Sequence, residues 1–343
     1  MGKGPNVSIV GAGIAGLAAA IGLARAGKSV ILYERAAKFE EIGAGLQLGP
    51  NAVRALQALG AWDTVEPITY APPAIRILNG KSGRLLKEVE LGAAFERRFG
   101  QPYRVAHRAD LHNALVTVAR GMGGIEIRLG AEIDATALQG QVIAADGVRS
   151  LTRAKLFPGS EAQPVPDLIF RALVPMPKSG AGLDCVNLWL YPGGHVVHYP
   201  VGQEKKLNLV SVTQGQRPEQ HFASVSSELQ NRLALAAPWR EWPGAYVPPL
   251  PSWQKDNITL IGDAAHGTLP FLAQGAAMAL EDAAALVSVQ DWAARRTRCL
   301  RLHRETLKAG QIYHLSGPAA FIRDQVIRRT SASSFLKRLD WIY

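Results

Sequence analysis

Gly11, Gly13 and Gly16 stand at the spacing G-x-G-x-x-G, in the segment Gly11-Ala12-Gly13-Ile14-Ala15-Gly16. A β-branched run, Val7 to Val10, precedes them, and a helix-forming run, Leu17 to Ala26, follows. The first glycine permits a tight turn. The second leaves space where any Cβ would collide with a pyrophosphate, and the third lets the helix lie close to the sheet. The helix N-terminus that begins around Ala15 offers unpaired N–H groups and a positive dipole end to a diphosphate. Glu34 follows about twenty residues on, placed to accept hydrogen bonds from both hydroxyls of an adenosine ribose and to repel a 2′-phosphate. Such a site suits FAD or NAD rather than NADP. Two more segments have chemistry of the same kind. Gly262-Asp263-Ala264-Ala265-His266 is followed by Pro270 and then by Gln274-Gly275-Ala276 at a helix start. There Asp263 can bind a ribityl hydroxyl, and the N–H groups near Gly275 and Ala276 can face an electron-rich ring edge. Asp146-Gly147-Val148-Arg149-Ser150 follows the apolar run Val142 to Ala145.

These residues need strands and helices behind them. Val7 to Val10 and Ser29 to Tyr33 read as strands flanking one helix that Gly27 stops, with Glu34 at the second strand's tip. Asn257 to Ile261 reads as another strand, with a helix from about Ala277 to Val289 carrying Glu281 and Asp282. Pro50 to Leu59 reads as a helix stopped by Gly60. Residues 70–92 alternate around Gly80 and Gly83 as a hairpin does, and residues 104–120 return to helix. Residues 164–250 are rich in proline and strand, with a helical stretch near 219–236. The pattern predicts an α/β chain in three parts. A discontinuous Rossmann-like domain, binding FAD or NAD, takes residues 1–69, 93–163 and 251–290. A β-sheet substrate domain takes 70–92 and 164–250, and C-terminal helices take 291–343.

Composition limits the alternatives. A chain of 343 residues can bury a substantial core. No apolar stretch reaches the ~20 uncharged residues of a membrane span, and the first apolar run is the nucleotide-binding strand rather than a signal peptide. A cytoplasmic location with no membrane partner is expected. The two cysteines, Cys185 and Cys299, give neither a disulfide framework nor metal-ligand spacing, so no metal is expected. The net charge of +10 comes without interleaved stacking aromatics, which argues against nucleic acid. It suits a traffic of anions instead. The densest basic cluster, Arg295, Arg296, Arg298, Arg301 and Arg304, reads as the solvated face of a helix.

Taken in order, the three segments resemble the FAD-dependent aromatic hydroxylases, the single-component flavoprotein monooxygenases. The run Glu41-Ile42-Gly43-Ala44-Gly45-Leu46-Gln47-Leu48-Gly49-Pro50-Asn51-Ala52 and the tail Ile312-Tyr313-His314-Leu315-Ser316-Gly317-Pro318 are similar to the branch of salicylate hydroxylase, 3-hydroxybenzoate 6-hydroxylase and 6-hydroxynicotinate 3-monooxygenase. The resemblance spans nearly the whole chain. It implies the aromatic-hydroxylase fold and one non-covalent FAD. It also implies hydroxylation of a small phenolic or hydroxylated heteroaromatic acid, with O2 and NAD(P)H as co-substrates, by way of a flavin C4a-hydroperoxide. There is no second dinucleotide fingerprint, so the nicotinamide, with NADH favoured, docks transiently. The protein would act as a monomer or homodimer. A flavoprotein oxidase or dehydrogenase on the same fold, and a non-catalytic FAD-binding protein, are the competing readings.

The resemblance also assigns roles. The strand Gly193 to Pro200 would line the substrate. His195, Val197 and Tyr199 share one face of it and His198 takes the other. A histidine and a tyrosine four apart contact the phenolic oxygen in that branch, which points to His195 as base and Tyr199 as its companion. An imidazole with a pKa near 6.5 suits removal of a phenol proton at neutral pH; otherwise His195 is a buried structural histidine. Gln47, in a glycine-rich loop, would touch flavin or substrate, and Gln274 would face the substrate ring. Pro270 would line the oxygen-activation side of the flavin. Asp146 and Gly147 would lie between FAD and the nicotinamide. Arg108 would contact FAD, or else bridge to Asp110. Arg35 would stack on adenine or be solvated. Cys185, Trp189 and Tyr191 would be pocket wall or core, and His266 would hold its own loop. In one respect the chain departs from the family. Residues 125–146 are too short for its usual three-stranded layer, and 288–295 is abbreviated.

Gly13→Val should abolish FAD binding, because a β-branched side chain fills the space the pyrophosphate needs. The variant should purify colourless where the parent is yellow, and a parent that stays colourless after incubation with FAD would refute the assignment.

Overall fold

The computed structural model describes residues 7–39, 44–203, 205–236, 239–288 and 291–343. Glu41, Ile42 and Gly43 of the branch-like run, and Val289, the expected end of one helix, lie outside the described residues.

Six strands form the nucleotide-side sheet, in the order Gln254–Lys255, Ile258–Leu260, Gln141–Ala144, Val7–Val10, Val30–Glu34 and Ile125–Leu129. All neighbours are parallel except the edge pair Gln254–Lys255 with Ile258–Leu260. Strands buried on both faces read as continuous apolar runs, as Val7–Val10 and Gln141–Ala144 nearly do. The helix Ile14–Arg25 is buried almost all round, from Leu17 to Leu23. It is sandwiched between the sheet and the helices Arg108–Gly121 and Gly275–Ala285, hence its lack of a polar face. Gly16 sets that packing. A Cβ there would meet the Gly11 carbonyl oxygen at 1.8 Å.

Between Leu129 and Gln141 the chain crosses from one side of the sheet to the other with only a 3₁₀ turn, Ala135–Ala137. The trimmed layer expected from the sequence is therefore a short irregular crossover, and the sheet closes without the missing strands.

A second sheet has seven strands, in the order Arg240–Trp242, Asp167–Pro175, Lys206–Gln214, Gly194–Val201, Val186–Tyr191, Ala74–Asn79 and Leu85–Glu90. Its two faces bury different things. Trp189, Tyr191, Val196, Leu207 and Leu209 pack outward under the helix Ser227–Leu235. Val197, Tyr199 and Val201 pack inward with Phe95, Tyr103, Val105 and Tyr343. Trp189 and Tyr191 are thus sheet packing and not pocket wall. A three-stranded sheet, Gly45–Leu48, Arg104–His107 and Thr69–Tyr70, lies against the inward face. Arg104–His107, expected as helix, is its central strand.

The C-terminal helices Trp292–Tyr313 and Gly317–Arg329 complete the fold. The solvated basic face predicted for the first of them is corrected here. Arg295 is buried. It donates to Asp282 Oδ1 from Nε and to Glu281 Oε2 from Nη1, both at 2.7 Å. Arg298 donates to the same Glu281 oxygen at 2.6 Å. Arg301 and Arg304 are exposed, as a solvated face requires, with Arg301 lying 4.1 Å over the Trp341 ring. A stretch of arginines on a helix looks solvated until an acid from another helix is brought to it.

Asp282 is fully buried, yet its carboxyl stays near a pKa of about 2, because His266 and Arg295 outweigh the desolvation that pushes it up. Asp282→Asn leaves Arg295 without its main counter-charge and should cost ~3–5 kcal/mol, the scale for breaking a buried pair. The folded value lies below the ordinary ~3.9 of an unfolded aspartate. The wild-type advantage is therefore full above about pH 4 and drains away as pH falls toward 2. Urea titrations of both proteins across that range should converge at the acid end; a constant gap would contradict the pairing.

Candidate functional site

Three loops converge beyond the carboxyl ends of adjacent parallel strands, where open α/β sheets bind ligands. Gly11 has φ +99° and lies so close to the next loop that a Cβ would stand 2.4 Å from the Ala145 carbonyl oxygen. Gly262, with φ +58°, abuts the first helix, where a Cβ would meet Ala15 Cβ at 2.8 Å. At Gly13 the situation is the opposite. A Cβ there would meet nothing within 4 Å, so the groove above the turn is open. Gly147 and Gly275 border the same kind of space, with nothing within 4 Å of their Cβ positions. No side chain caps the helices that start after Gly13 and Gln274, and their first N–H groups remain for a ligand.

Glu34 closes one end of the groove. Its carboxylate accepts from Ala12 N–H at 2.9 Å and from Ala36 N–H at 3.0 Å. Two backbone donors fix its orientation and leave lone pairs over for ribose hydroxyls. Asp263 is exposed at the head of its loop, and Arg35 is exposed beside Glu34. Asp146 also has a local role. Both its oxygens are engaged locally, by Ser150 Oγ at 2.6 Å and by Thr152 N–H and Oγ1 at 3.1 and 2.9 Å. Its carboxylate caps the helix Leu151–Leu156. The open space lies beside Gly147 instead.

Several residues that hold these loops gave no signal in the sequence. Arg153 is buried and donates to the carbonyls of Ser160, Ala264 and Val148 at 2.9, 3.0 and 2.7 Å. It staples the Asp146 loop to the Asp263 loop. His112 Nε2 lies 2.8 Å from the Ala12 carbonyl, inside the fingerprint turn. Asp282 accepts from Gly262 N–H at 2.8 Å and contacts His266 Nε2 at 2.5 Å. His266 is therefore a loop-holding residue, as its sequence suggested.

The second half of the site is the inward face of the seven-stranded sheet. Register pairs His195 with Val212, Val197 with Val210 and Tyr199 with Asn208. His195, Val197 and Tyr199 point inward, while His198 lies on the other face, stacked on Trp189 at 6.3 Å. Phe271, in the turn Pro270–Leu272, meets the His195 ring edge-on at 5.4 Å. Pro270 thus brings its loop to His195. Ala273, just after it, adopts φ +52°, which a Cβ disfavours. Gln274 is buried and its Oε1 accepts from Asn51 Nδ2 at 2.9 Å, tying it to the helix Pro50–Ala58.

Tyr199 and Gln47 belong to one cluster. Tyr103 donates to Gln47 Oε1 at 2.5 Å, and Tyr103 and Tyr199 share one buried cluster. Burial pushes the Tyr199 phenol well above its ordinary pKa. Gly45 is pressed against that tyrosine, with a Cβ position 2.6 Å from its ring. Arg171, on the adjoining strand Asp167–Pro175, is electrostatically coupled to Tyr199, Arg108 and Asp263, and its Nε has no hydrogen-bond partner. Arg108 opens the helix Arg108–Gly121. Asp110, in the first turn of that helix, lies 3.5 Å from His107 Nδ1. Cys185 is buried, and burial and Asp184 raise its thiol to about 11, so it is inert core rather than nucleophile.

Burial, with His314 close by, pushes His195 well below its usual pKa. It is a neutral imidazole at pH 7, with a lone pair to accept a proton. His198 is pushed down to about 3 by burial and by Arg232 and Arg76.

An open groove above the glycine turn, an oriented acid at the tip of the next strand and two more loops around the same groove fit FAD. Residues 5–228 and 247–290 match the model of the FAD binding domain family, and the chain belongs to that family. The chain is 31% identical to 3-hydroxybenzoate 6-hydroxylase of Polaromonas naphthalenivorans, covering 98% of this chain and 95% of that protein. It is 31% identical to 6-hydroxynicotinate 3-monooxygenase of Bordetella bronchiseptica over 83% of this chain and 82% of that one. The fold matches that of Klebsiella pneumoniae HpxO complexed with FAD and uric acid, with a TM-score of 0.85, 22% identity and coverage of 99% and 98%. The protein is a flavoprotein monooxygenase of the FAD-dependent aromatic hydroxylase type. The alignment to the Polaromonas enzyme runs over 381 positions, more than this chain contains, so that relative has segments absent here.

Glu34→Ala should weaken FAD binding by ~1.5–3 kcal/mol, the scale of hydrogen bonds to a charged group. It should leave any preference between NADH and NADPH unchanged. Fluorescence titration of the apoprotein with FAD measures the first and steady-state kinetics the second; a switched nicotinamide preference would mean that Glu34 serves the other cofactor.

Proposed function

We propose that this monooxygenase hydroxylates a phenolic or hydroxylated heteroaromatic carboxylic acid, using O2 and NAD(P)H, with NADH favoured. The observation that carries this reading is the pairing of the FAD groove with His195 and Tyr199 on one inward sheet face. Bound FAD supplies reducing equivalents and the activated oxygen. The protein's own residues do the rest.

His195 takes the phenolic proton at Nε2, which makes the ring electron-rich at its ortho and para carbons. Tyr199 orients the same oxygen. Arg171 offers a positive charge to the substrate's carboxylate, in keeping with the acids named for the relatives. The turn Pro270–Leu272, through Phe271, walls off the His195 side from water. Gln274, held by Asn51, faces the substrate ring, and Arg108 contacts the cofactor. Gly275 and Ala276 present helix N–H groups to the flavin. The nicotinamide docks only for the reduction step, beside the Asp146–Gly147 loop. Substrate identity is tested by NADH oxidation and product detection with salicylate, 3- and 4-hydroxybenzoate and 6-hydroxynicotinate. Failure of every aromatic acid to stimulate NADH oxidation would overturn the reading in favour of an oxidase or dehydrogenase.

His195→Ala should slow hydroxylation by about 10²–10⁴-fold, the usual worth of a positioned base. Flavin reduction should suffer less, so NADH is still consumed while hydrogen peroxide replaces product. His198→Ala should be milder, because that side chain faces the other way. The reverse order of effects would reassign the base to His198.

A further inference from the structure

His195 has a partner that belongs to neither the flavin loops nor the substrate sheet. His314 caps the helix Trp292–Tyr313, and its Nε2 lies 2.9 Å from His195 Nδ1, with the two rings stacked at 5.1 Å and 28°. Its other nitrogen, Nδ1, lies 3.5 Å from Asp167 Oδ1. Both histidines are buried, whereas the Asp167 side chain keeps 17% of its surface exposed at the start of its strand. Backbone contacts hold the arrangement. Gly193 N–H donates to the His314 carbonyl at 3.1 Å. Arg323 Nη1 donates to the carbonyls of Ile312 and Tyr313 at 3.3 and 2.8 Å, just before His314.

The chain of contacts favours one set of tautomers. An ionised carboxylate only accepts, so Asp167, 3.5 Å away, favours the His314 tautomer with its hydrogen on Nδ1. His314 Nε2 is then an acceptor and His195 Nδ1 the donor. The lone pair of His195 is left on Nε2, the atom that a base at this position needs. The geometry also answers a difficulty. A lone imidazole this deeply buried holds an added proton poorly, since burial disfavours the cation. A second imidazole backed by a carboxylate gives that charge somewhere to go.

We propose that His195, His314 and Asp167 form a proton relay, carrying the substrate's phenolic proton from the active site to the edge of the sheet; this rests on the reading of His195 as the base. The substrate O–H bond breaks as an N–H bond forms at His195 Nε2. The Nδ1 proton of His195 passes to His314 Nε2. The His314 imidazolium is then held against the Asp167 carboxylate, which meets solvent. Two protons shift in concert, one positive charge is carried to His314, and no electrons move. His314 is a positioning residue that acts through His195. The ionisable groups around the pair are Tyr313, whose ring lies 5.2 Å from His195, Asp167 from the neighbouring strand, and the Arg323–Asp324 pair from the next helix. Asp324 in turn accepts from Asn79 Nδ2 on the sheet.

The test uses the FAD-loaded enzyme with 3-hydroxybenzoate as probe. In ¹⁵N-histidine NMR, His195 should be neutral with its hydrogen on Nδ1. The pH at which bound 3-hydroxybenzoate ionises, read by phenolate absorbance, should rise by about one unit, tenfold in proton affinity, in both His314→Gln and Asp167→Asn. Asp167→Asn keeps the shape of the site and guards against a folding defect at His314. An Nε2–H tautomer in the wild type, or a phenolate profile unmoved in both variants while His195→Ala shifts it, would overturn the relay and leave the base intact. A profile unmoved in His195→Ala as well would overturn both.

Discussion

The buried carboxylate of Asp282 joins parts of the molecule that have little else in common. It accepts from the backbone of Gly262, contacts His266, and receives the Arg295 guanidinium at 2.7 Å. Gly262 and His266 shape the loop that carries Asp263. Asp282 itself belongs to the helix whose start is Gly275, and Arg295 belongs to the C-terminal helix that ends at His314. One acid therefore sets the cofactor loop, the ring-facing helix and the helix that delivers a histidine to the substrate face. A charge buried without these partners would cost several kcal/mol. The arrangement is consequently all-or-none, which is what a site assembled from distant segments requires.

The glycines act by a complementary constraint. Gly11 and Gly16 are needed because backbone already occupies the space of a side chain, and Gly13 because a ligand must. All three look alike in the sequence, yet only at Gly13 is the neighbouring space open. The same contrast runs through the other loops. Gly262 is filled by Ala15, while Gly147 and Gly275 face open space. Tight contact builds the cradle, and open positions form its floor.

Much of this was legible locally. The βαβ unit, Glu34, the hairpin in residues 70–92 and the alternation that points His195 and Tyr199 one way and His198 the other depend on periods of a few residues. Local chemistry also misled. The arginines after residue 294 looked solvated, and the first of them is buried against Asp282. Arg104–His107 looked helical because the helix after it is strong; pairing on both sides made it a strand.

By itself the sequence determined the cofactor-binding unit, since a turn, its glycines and an acid at a strand tip are fixed by backbone sterics over some thirty residues. It also determined which side chains share a face of the substrate strand. Only the tertiary structure decided what those side chains meet. His195 and His314 are 119 positions apart, Arg153 and Ala264 are 111, and His112 and Ala12 are 100. No periodicity spans such distances. The residue types alone allow each histidine or arginine many partners, and the choice among them is made when the helices and the second sheet close over the groove and each buried polar group must find a partner or forfeit its hydration.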